Sequence, residues 1–145
     1  MSRWLPSLTL VGLCLVAFVW GLPAPLTHYD DNLYISDNLA VMSTPGWAGL
    51  AQVWSASRAF SGQFVEYFPL RDTVYWLIFQ HWGTEGLPYH VVNLGFHVVA
   101  SLLALRLART LGLTDGAAWL VAALFAVHPA HVESVEWAAG LKDPM

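Results

Sequence analysis

Long apolar stretches alternate with polar, aromatic-rich stretches along the 145 residues of this chain. The first apolar stretch, residues 5–24, has no charged side chain, and about 20 apolar residues suffice for a helix to cross a bilayer. Two more apolar stretches follow at 87–106 and 112–128, the latter containing the run GAAWLVAALFAV. The pattern therefore predicts an all-α, polytopic membrane protein with about three transmembrane helices.

The first apolar stretch has a second interpretation, a cleaved signal peptide. Such a peptide needs a charged start, a short apolar region and a cleavage site of the small-x-small type. Arg3 supplies the charge, but the segment after Trp20 reads GLPAPL and contains no A-x-A-like site. We therefore prefer an uncleaved first span.

The positions of the arginines predict the orientation of the spans. Arg3 precedes the first span, and Arg106 and Arg109 lie between the second and the third. Positive charge favours the cytoplasmic side, so the N-terminus is predicted to be cytoplasmic. Outside loops then cover about 25–86 and 129–145, and the first of these is rich in carboxylates, in agreement with the assignment.

The first outside loop is too long for a plain connector and has helical patterns of its own. In TPGWAGLAQVWSASRAF, apolar side chains recur at spacings of three and four, at Trp47, Leu50, Val53 and Trp54. Thr44 can cap this helix and Pro45 can occupy its first position. The pattern predicts an amphipathic helix on the membrane surface, or a small packed extracytoplasmic subdomain. The later stretch FPLRDTVYWLIFQHW is interpreted as interfacial or partly re-entrant.

Composition supports the membrane assignment and excludes some functions. The chain is 57% hydrophobic and 11% charged, whereas soluble domains are about a quarter charged. Its net charge of -4 and lack of a basic patch make nucleic acid an unexpected partner. One cysteine, Cys14, allows neither an internal disulfide nor a cysteine-based zinc motif.

The stretch THYDDNLYISDN, directly after the first span, is the first candidate for chemistry. Asp30 and Asp31 are adjacent, and two neighbouring carboxylates in a partly desolvated site leave one poised as a base or both sharing a cation. The structural alternative is an ordinary loop or helix cap at the membrane exit, because aspartate pairs are common in loops.

The second candidate is LFAVHPAHVESVEW, at the outer end of the third span. Pro129 suits the first turn of a new helix, which makes His128 the corner. On that helix His131 and Glu133 are about 200° apart, so both cannot face one small ligand. The alternative is an interfacial polar cap, and the histidine spacing alone is weak support for a metal.

The third candidate is a polar stripe on the second span. His90, Asn93 and His97 recur at spacings of three and four in PYHVVNLGFHVV. Polar groups inside a span face the protein interior or a cavity, because their exposure to lipid is costly. The stripe can bind substrate at the outer cavity or simply form hydrogen bonds to neighbouring spans.

Four motifs occur in order: YDDNLYISDN, FPL, PYHVVNLGFH and AALFAVHPAHVESVEWAAGLKD. Together they resemble the N-terminal membrane part of the multispanning, tetratricopeptide-repeat glycosyltransferases of the GT-C type, which include bacterial membrane proteins and the eukaryotic transmembrane O-mannosyltransferases. The resemblance covers about 27–143. It implies an integral membrane protein of the bacterial inner membrane or the endoplasmic reticulum.

The resemblance also implies a reaction, the transfer of a sugar such as mannose from a polyprenyl-phosphate or dolichyl-phosphate donor to a protein hydroxyl outside. It implies Asp30 as the general base with Asp31 as its partner, and Glu133 as a further catalytic candidate. Substrate-binding candidates on the acceptor or phosphate side are His128, His131, Lys142 and Asp143. Those facing the lipid-sugar groove are His90, Asn93 and His97.

Three positions depart from the family pattern. Leu141 precedes Lys142 where the bacterial pattern has arginine, Pro144 replaces an aliphatic residue, and Asn38 is not followed by proline. The missing arginine weakens phosphate binding at that corner and leaves the carboxylates untouched. No metal ligand is assigned, and a divalent cation stays open because metal dependence varies among GT-C enzymes.

Two alternatives to a transferase remain. One is a non-catalytic membrane anchor for tetratricopeptide-repeat domains that bind proteins, and the other is a transporter fragment. The transporter needs polar stripes on several spans and internal repeats, and the sequence has one stripe and no repeat. Because the chain stops at GLKDPM without a closing helix, we expect an N-terminal fragment of a larger protein. Its expected partners are membrane lipid, the lipid-linked donor and an acceptor protein.

Overall fold

The computed structural model describes residues 4–27, 30–55 and 67–142, apart from the side chains of residues 39, 40 and 142. Every regular element in these ranges is helical, as the apolar pattern predicts. The α-helices are α1 (Leu5–Phe18), α2 (Leu39–Met42), α3 (Gly46–Val53), α4 (Pro69–Trp82), α5 (Gly86–Thr110), α6 (Asp115–Ala126) and α7 (Val132–Glu136). Tighter 3₁₀ turns lie at Val19–Gly21, Pro129–His131 and Ala138–Lys142, and a π-helix at Asn32–Ser36.

Helices α1, α5 and α6 pack around one apolar core, which we call the bundle core. Helices α5 and α6 form a hairpin whose turn needs the positive φ of Gly112, 87°, which glycine adopts without steric cost. The hydroxyl of Thr114 accepts a hydrogen bond from the Ala117 amide at 3.4 Å and so caps α6. The buried members of the bundle core are Leu10, Cys14, Phe18, Leu94, Leu105, Ala108, Ala118, Ala122, Ala123, Ala126 and Val135.

Within the described ranges, one single helix, α5 with 25 residues, is long and apolar enough to cross a membrane. Helix α1 and its 3₁₀ extension end at Gly21, short of the predicted residue 24, because Pro23 and Pro25 stop the helix. Helix α6 has 12 residues and is bent by 46° from the helical segment that begins at Pro129. The second predicted span, 87–106, thus coincides with α5, and the first and third are shorter than predicted.

Much of the apolar surface of the three bundle helices faces outward. Only 33% of the apolar window of α5 is buried, so α5 is not an ordinary core helix. Monomeric soluble proteins rarely expose apolar patches of this extent, and the outward faces are therefore suited to lipid. Large exposed side chains along the three helices are Leu8, Leu15, Val16, Val91, Val99, Leu103, Leu107, Leu120, Val121 and Leu124.

The loop between α1 and α5 packs into a second core, which we call the aromatic core. Helix α4 contributes Tyr75 and Trp76 to it, and the Trp76 indole donates a hydrogen bond to the Thr44 carbonyl at 2.9 Å. The stretch predicted to be interfacial or re-entrant is therefore a packed helix. The other buried members are Tyr34, Ile35, Val41, Met42, Val53, Ile78, Tyr89, Ala138, Ala139 and Leu141.

Helix α3 lies in the stretch for which a surface helix and a packed subdomain were both predicted. It begins at Gly46, one residue later than predicted, and Pro45 is its N-cap residue. Val53 is fully buried, whereas Trp47 is 85% exposed, so α3 packs on the subdomain through one part of its apolar side and leaves Trp47 outward. The described part of the loop is a packed subdomain. The end of the predicted amphipathic stretch, residues 56–60, lies outside the described residues.

Candidate active site

The carboxylate of Asp31 is buried and accepts three hydrogen bonds. Its Oδ2 accepts from the Thr27 amide at 2.7 Å and from the Thr27 hydroxyl at 2.9 Å. Its Oδ1 accepts from the amide of Ala139 at 2.7 Å, across 108 residues of sequence. Ionised acceptors form the stronger class of hydrogen bonds, so Asp31 fastens the segment after α1 to the segment after α7.

Asp30 has a different environment from its neighbour. Its side chain is half-buried, whereas Asp31 has no exposed surface. Among the described residues, none donates a hydrogen bond to the Asp30 carboxylate. The two carboxylates of the pair are therefore not equivalent, and Asp30 is the one with access to solvent.

The short break between α7 and the final 3₁₀ turn is held by buried side chains. The carbonyl of Trp137 accepts a hydrogen bond from the Asn93 amide at 2.7 Å. The carbonyl of Ala138 accepts one from the Tyr75 hydroxyl at 2.8 Å. Burial raises the pKa of Tyr75 above its ordinary value, so the phenol stays protonated and donates. The backbone of the break is thus satisfied by side chains from α4 and α5.

The predicted polar stripe on α5 exists and is buried against the protein. His90 forms a hydrogen bond through Nε2 to the Ala24 carbonyl at 3.1 Å, and His97 forms one through Nε2 to the Ala126 carbonyl at 2.9 Å. Both carbonyls belong to chain segments just beyond or at a helix end, where backbone acceptors lack a partner in the helix. The contacts of the stripe therefore match the structural alternative, hydrogen bonding to neighbouring segments.

Three histidines meet where α6 ends. The ring of His131 lies 5.0 Å from that of His97 and 6.0 Å from that of His128, measured between centroids. His128 Nδ1 accepts a hydrogen bond from the Ala130 amide at 3.1 Å, which makes His128 the predicted corner residue. Phe125 packs against His131 at 4.4 Å. In the described ranges, no cluster of three histidine, cysteine or acidic side chains is placed to hold a metal ion.

The Glu133 side chain is exposed and does not lie on the buried side of α7. Because a Cβ atom at Gly21 would lie 2.5 Å from Cδ of Glu136, the half-buried Glu136 side chain packs directly on the end of α1. Sequence reasoning selected Glu133 and passed over Glu136. Residues three apart lie on the same side of a helix, so only the packing of the segment after α1 distinguishes Glu136 from Glu133.

Arg71 is a second residue that the sequence interpretation missed. Its side chain is buried, it pairs with Asp72 at 2.8 Å, and its guanidinium lies 4.0 Å from the centroid of the Tyr34 ring. A buried arginine is unusual unless it is paired. The one signal in the sequence was its position directly after the FPL motif. The predicted Lys142 side chain and the whole of Asp143 lie outside the described residues.

An open apolar groove of about 490 Å³ runs along α5 away from this site. It has one charged residue, Arg106, and contains none of the predicted site residues. Its lining consists of Ala100, Leu103, Ala104, Arg106, Leu107, Thr110 and Phe125. The stripe residues His90, Asn93 and His97 therefore do not line it.

Comparison with known proteins finds several related sequences. The chain is 35% identical over 117 residues to "Protein O-mannosyl-transferase Tmtc1" of Drosophila melanogaster, which covers 79% of this chain and 14% of that protein. It is 36% identical over 85 residues to a protein O-mannosyl-transferase of Caenorhabditis elegans, and the match covers 57% of this chain and 12% of that protein. It is 30% identical over 114 residues to "Protein O-mannosyl-transferase TMTC3" of Mus musculus, and the match covers 77% of this chain and 12% of that protein.

The chain thus spans about one seventh of the length of these relatives or less. No protein-family profile matches the chain. No solved structure matches it.

Proposed function

Since this chain is related to the protein O-mannosyl-transferases, as its motifs predict, we propose that it forms part of a membrane enzyme that transfers mannose to protein hydroxyls. The relationship extends over more than three quarters of the chain in two of the relatives. The observation that carries the proposal is the placement of the Asp30–Asp31 pair against the segment that follows α6. These are the two segments expected to form opposing walls of one site.

The proposed donor is a polyprenyl-phosphate or dolichyl-phosphate mannose. The outward apolar faces of α1, α5 and α6 support a site at a membrane surface, where such a lipid is available. We propose that the three bundle helices α1, α5 and α6 lie in the membrane. The aromatic core and the segment after α6 are then outside, and the turn at Gly112 is cytoplasmic, because Arg106 and Arg109 flank it.

Asp30 is the proposed general base. It takes the proton from the acceptor hydroxyl while that oxygen attacks C1 of the sugar, and the phosphate leaves with the electron pair of the broken C1–O bond. A general base contributes about 10²–10⁴-fold to a rate. The partial exposure of Asp30 supports this assignment, because a base must reach its substrate.

The other predicted residues receive different proposed roles. His128, His131 and Glu133, on the exposed side of the corner, are proposed to contact the acceptor or the phosphate. Lys142 and Asp143 remain predictions for the phosphate side. For the α5 stripe of His90, Asn93 and His97 we propose a structural role instead of substrate binding, because each bonds a backbone carbonyl.

The proposal is tested by a transfer assay on the protein encoded by the gene's full reading frame, in membranes. Radiolabelled polyprenyl-phosphate mannose is the donor, and labelled protein is the readout. Asp30→Asn is expected to reduce the rate at least roughly 100-fold. The matched control is Asp37→Asn, an exposed aspartate seven residues away, which is expected to keep the wild-type rate. Repeating the assay with a chelator tests whether transfer needs a divalent cation, which the sequence left open.

Two outcomes contradict the proposal. Unreduced transfer by Asp30→Asn, at equal protein level, removes Asp30 as the base. Absence of transfer by the inserted wild-type protein, with several sugar donors supplied, supports the non-catalytic anchor. Transport of a solute in the same vesicles without protein labelling would support the transporter.

A further inference from the structure

We infer that Asp31 is a positioning residue, a buried clamp that fixes both the catalytic aspartate before it and the outer segment that closes the site. The inference rests on the proposed function and goes beyond it by separating the roles of two adjacent carboxylates. Asp31 is proposed to act through its neighbours and not to touch substrate, because it has no exposed surface.

The first support is that both oxygens of Asp31 are occupied by donors. Thr27 gives two hydrogen bonds to Oδ2, and the Ala139 amide gives one to Oδ1. Removing a buried acceptor leaves its donors unsatisfied, which costs more than the bond itself contributes. The carboxylate is therefore tied on both sides, to the chain before it and to a segment 108 residues later.

The second support is that the clamp is closed by a third residue. The hydroxyl of Thr27, which donates to Asp31, also accepts a hydrogen bond from the Trp137 indole at 3.1 Å. Trp137 and Ala139 flank the break after α7. Thr27 and Asp31 thus bind this part of the chain through the Trp137 indole and the Ala139 amide. Asn93 of α5 and Tyr75 of α4 donate hydrogen bonds to the carbonyls of Trp137 and Ala138.

The third support is the geometry of the helical turn that contains the pair. Asp30 and Asp31 open the turn that continues into the π-helix Asn32–Ser36. Adjacent residues on a helix project about 100° apart. When Asp31 is fixed toward Ala139, Asp30 must project to the side, where its carboxylate is partly exposed. Fixing the Asp31 side chain therefore sets the direction in which the Asp30 side chain projects.

The test compares Asp31→Asn and Thr27→Val with Asp30→Asn in the protein from the full reading frame. The matched control is Thr73→Val. Thr73 also accepts a tryptophan indole, that of Trp54 at 3.0 Å, but lies away from the aspartate pair. The first readout is hydrogen exchange of the segment that contains the Ala139 amide, which reports local opening. The second readout is the pH dependence of mannose transfer.

Asp31→Asn is expected to speed exchange of that segment roughly tenfold, because a charged acceptor of a buried amide is lost. It is expected to lower the turnover rate while the shape of the pH profile is kept, since the base is still present. Thr27→Val should produce the same change to a smaller degree, and Thr73→Val should leave both readouts unchanged. Asp30→Asn should abolish transfer and leave the exchange unchanged.

The two hypotheses fail in different ways. If exchange around Ala139 is unaffected in both Asp31→Asn and Thr27→Val, the clamp is wrong, whatever the activity. If exchange rises but the transfer rate stays at the wild-type value, Asp31 does not position the site. A wild-type protein without transfer overturns the proposed function, and accelerated exchange then still supports the clamp as a structural element. If Asp31→Asn does not fold, Thr27→Val carries the test.

Discussion

Gly86, the first residue of α5, occupies a position where a side chain does not fit. A Cβ atom there would lie 2.5 Å from the carbonyl oxygen of Ala24 and 3.3 Å from the amide nitrogen of Leu26. Both are backbone atoms and cannot rotate away. The chain after α1 thus crosses the start of α5 in direct contact, which brings Thr27 and the aspartate pair to the site.

Gly86→Ala is therefore expected to destabilise the protein by about 1–3 kcal/mol, the usual cost of overpacking. The control is Gly95→Ala in the same helix, where a Cβ atom has no neighbour within 4 Å. That substitution is expected to raise stability by up to about 1 kcal/mol, because alanine favours the helix. Thermal unfolding of both variants in detergent measures the difference. A melting temperature of Gly86→Ala at or above that of Gly95→Ala would contradict the close crossing.

Among single residues, the sequence identified the polar side chains that form buried contacts better than it identified the groups to which they bond. The acidic pair and the stripe on α5 were identified from adjacency and helical spacing. Their partners were not, because Asp31 and His90 bond to backbone groups, Ala139 N and Ala24 O, that have no signature in the sequence. The difference between Asp30 and Asp31 arises from the local bonds of Asp31 to Thr27 together with its long-range bond to Ala139.

Among the elements, α5 organises the others by supplying polar donors to backbone carbonyls. Asn93 reaches the carbonyls of Trp137 and Ala138, at 2.7 and 3.4 Å. A buried carbonyl that loses its donor costs about 1–3 kcal/mol. The stripe therefore determines where the bent segment after α6 rests against the bundle.

Asn93→Leu, which keeps the volume and removes the amide, is expected to lower the free energy of unfolding by about 1–3 kcal/mol. Thr110→Val on the same helix is a suitable control, because its exposed hydroxyl bonds only to the Leu107 carbonyl of its own helix. Chemical unfolding monitored by tryptophan fluorescence compares the two variants. Equal stability of Asn93→Leu and Thr110→Val would show that the amide does not hold the segment.

Element boundaries were predicted less well than element types. Three helical spans and a helix in the first loop were predicted, and α1, α5, α6 and α3 are found in those stretches, whereas α2 and the π-helix Asn32–Ser36 were not predicted. The ends of α1 and α6 were misplaced by a few residues because hydropathy does not register the prolines that follow, Pro23 and Pro129. The start of α3 lies at Gly46 and not at Pro45, and Gly46 has a positive φ of 65°, which the hydrophobic pattern does not reveal.

In the proposed topology of the whole molecule, the two cores lie at different positions along the membrane normal. The bundle core lies between the apolar outward faces, and the aromatic core lies beyond one end of it. Charge predicted only which ends of the helices face the cytoplasm, because the arginines cluster near the turn between α5 and α6, and this orientation stays a prediction. How the first loop folds into a core could not be predicted, since its aromatic residues fit both a surface helix and a packed one.

Cysteine labelling tests this topology. The one cysteine of these 145 residues, Cys14, is buried, so Cys14→Ala gives a suitable background when any cysteine elsewhere in the reading frame is also replaced. In that background, Trp47→Cys is expected to react with a membrane-impermeant maleimide in intact cells or sealed outside-out vesicles. Leu111→Cys, in the turn after α5, is expected to react only after permeabilisation. The reverse pattern would invert the orientation, and labelling of both without permeabilisation would contradict a membrane-spanning hairpin.

The most direct test of the central claim is the sidedness of mannose transfer. Sealed vesicles carrying the full-length protein, in right-side-out or inside-out orientation, are given radiolabelled polyprenyl-phosphate mannose and an acceptor peptide that cannot cross the membrane. We expect labelled peptide only where the extracytoplasmic face is accessible, and none from the Asp30→Asn protein in either orientation. Transfer confined to inside-out vesicles, or transfer that persists in Asp30→Asn, would contradict an outer site built around that carboxylate.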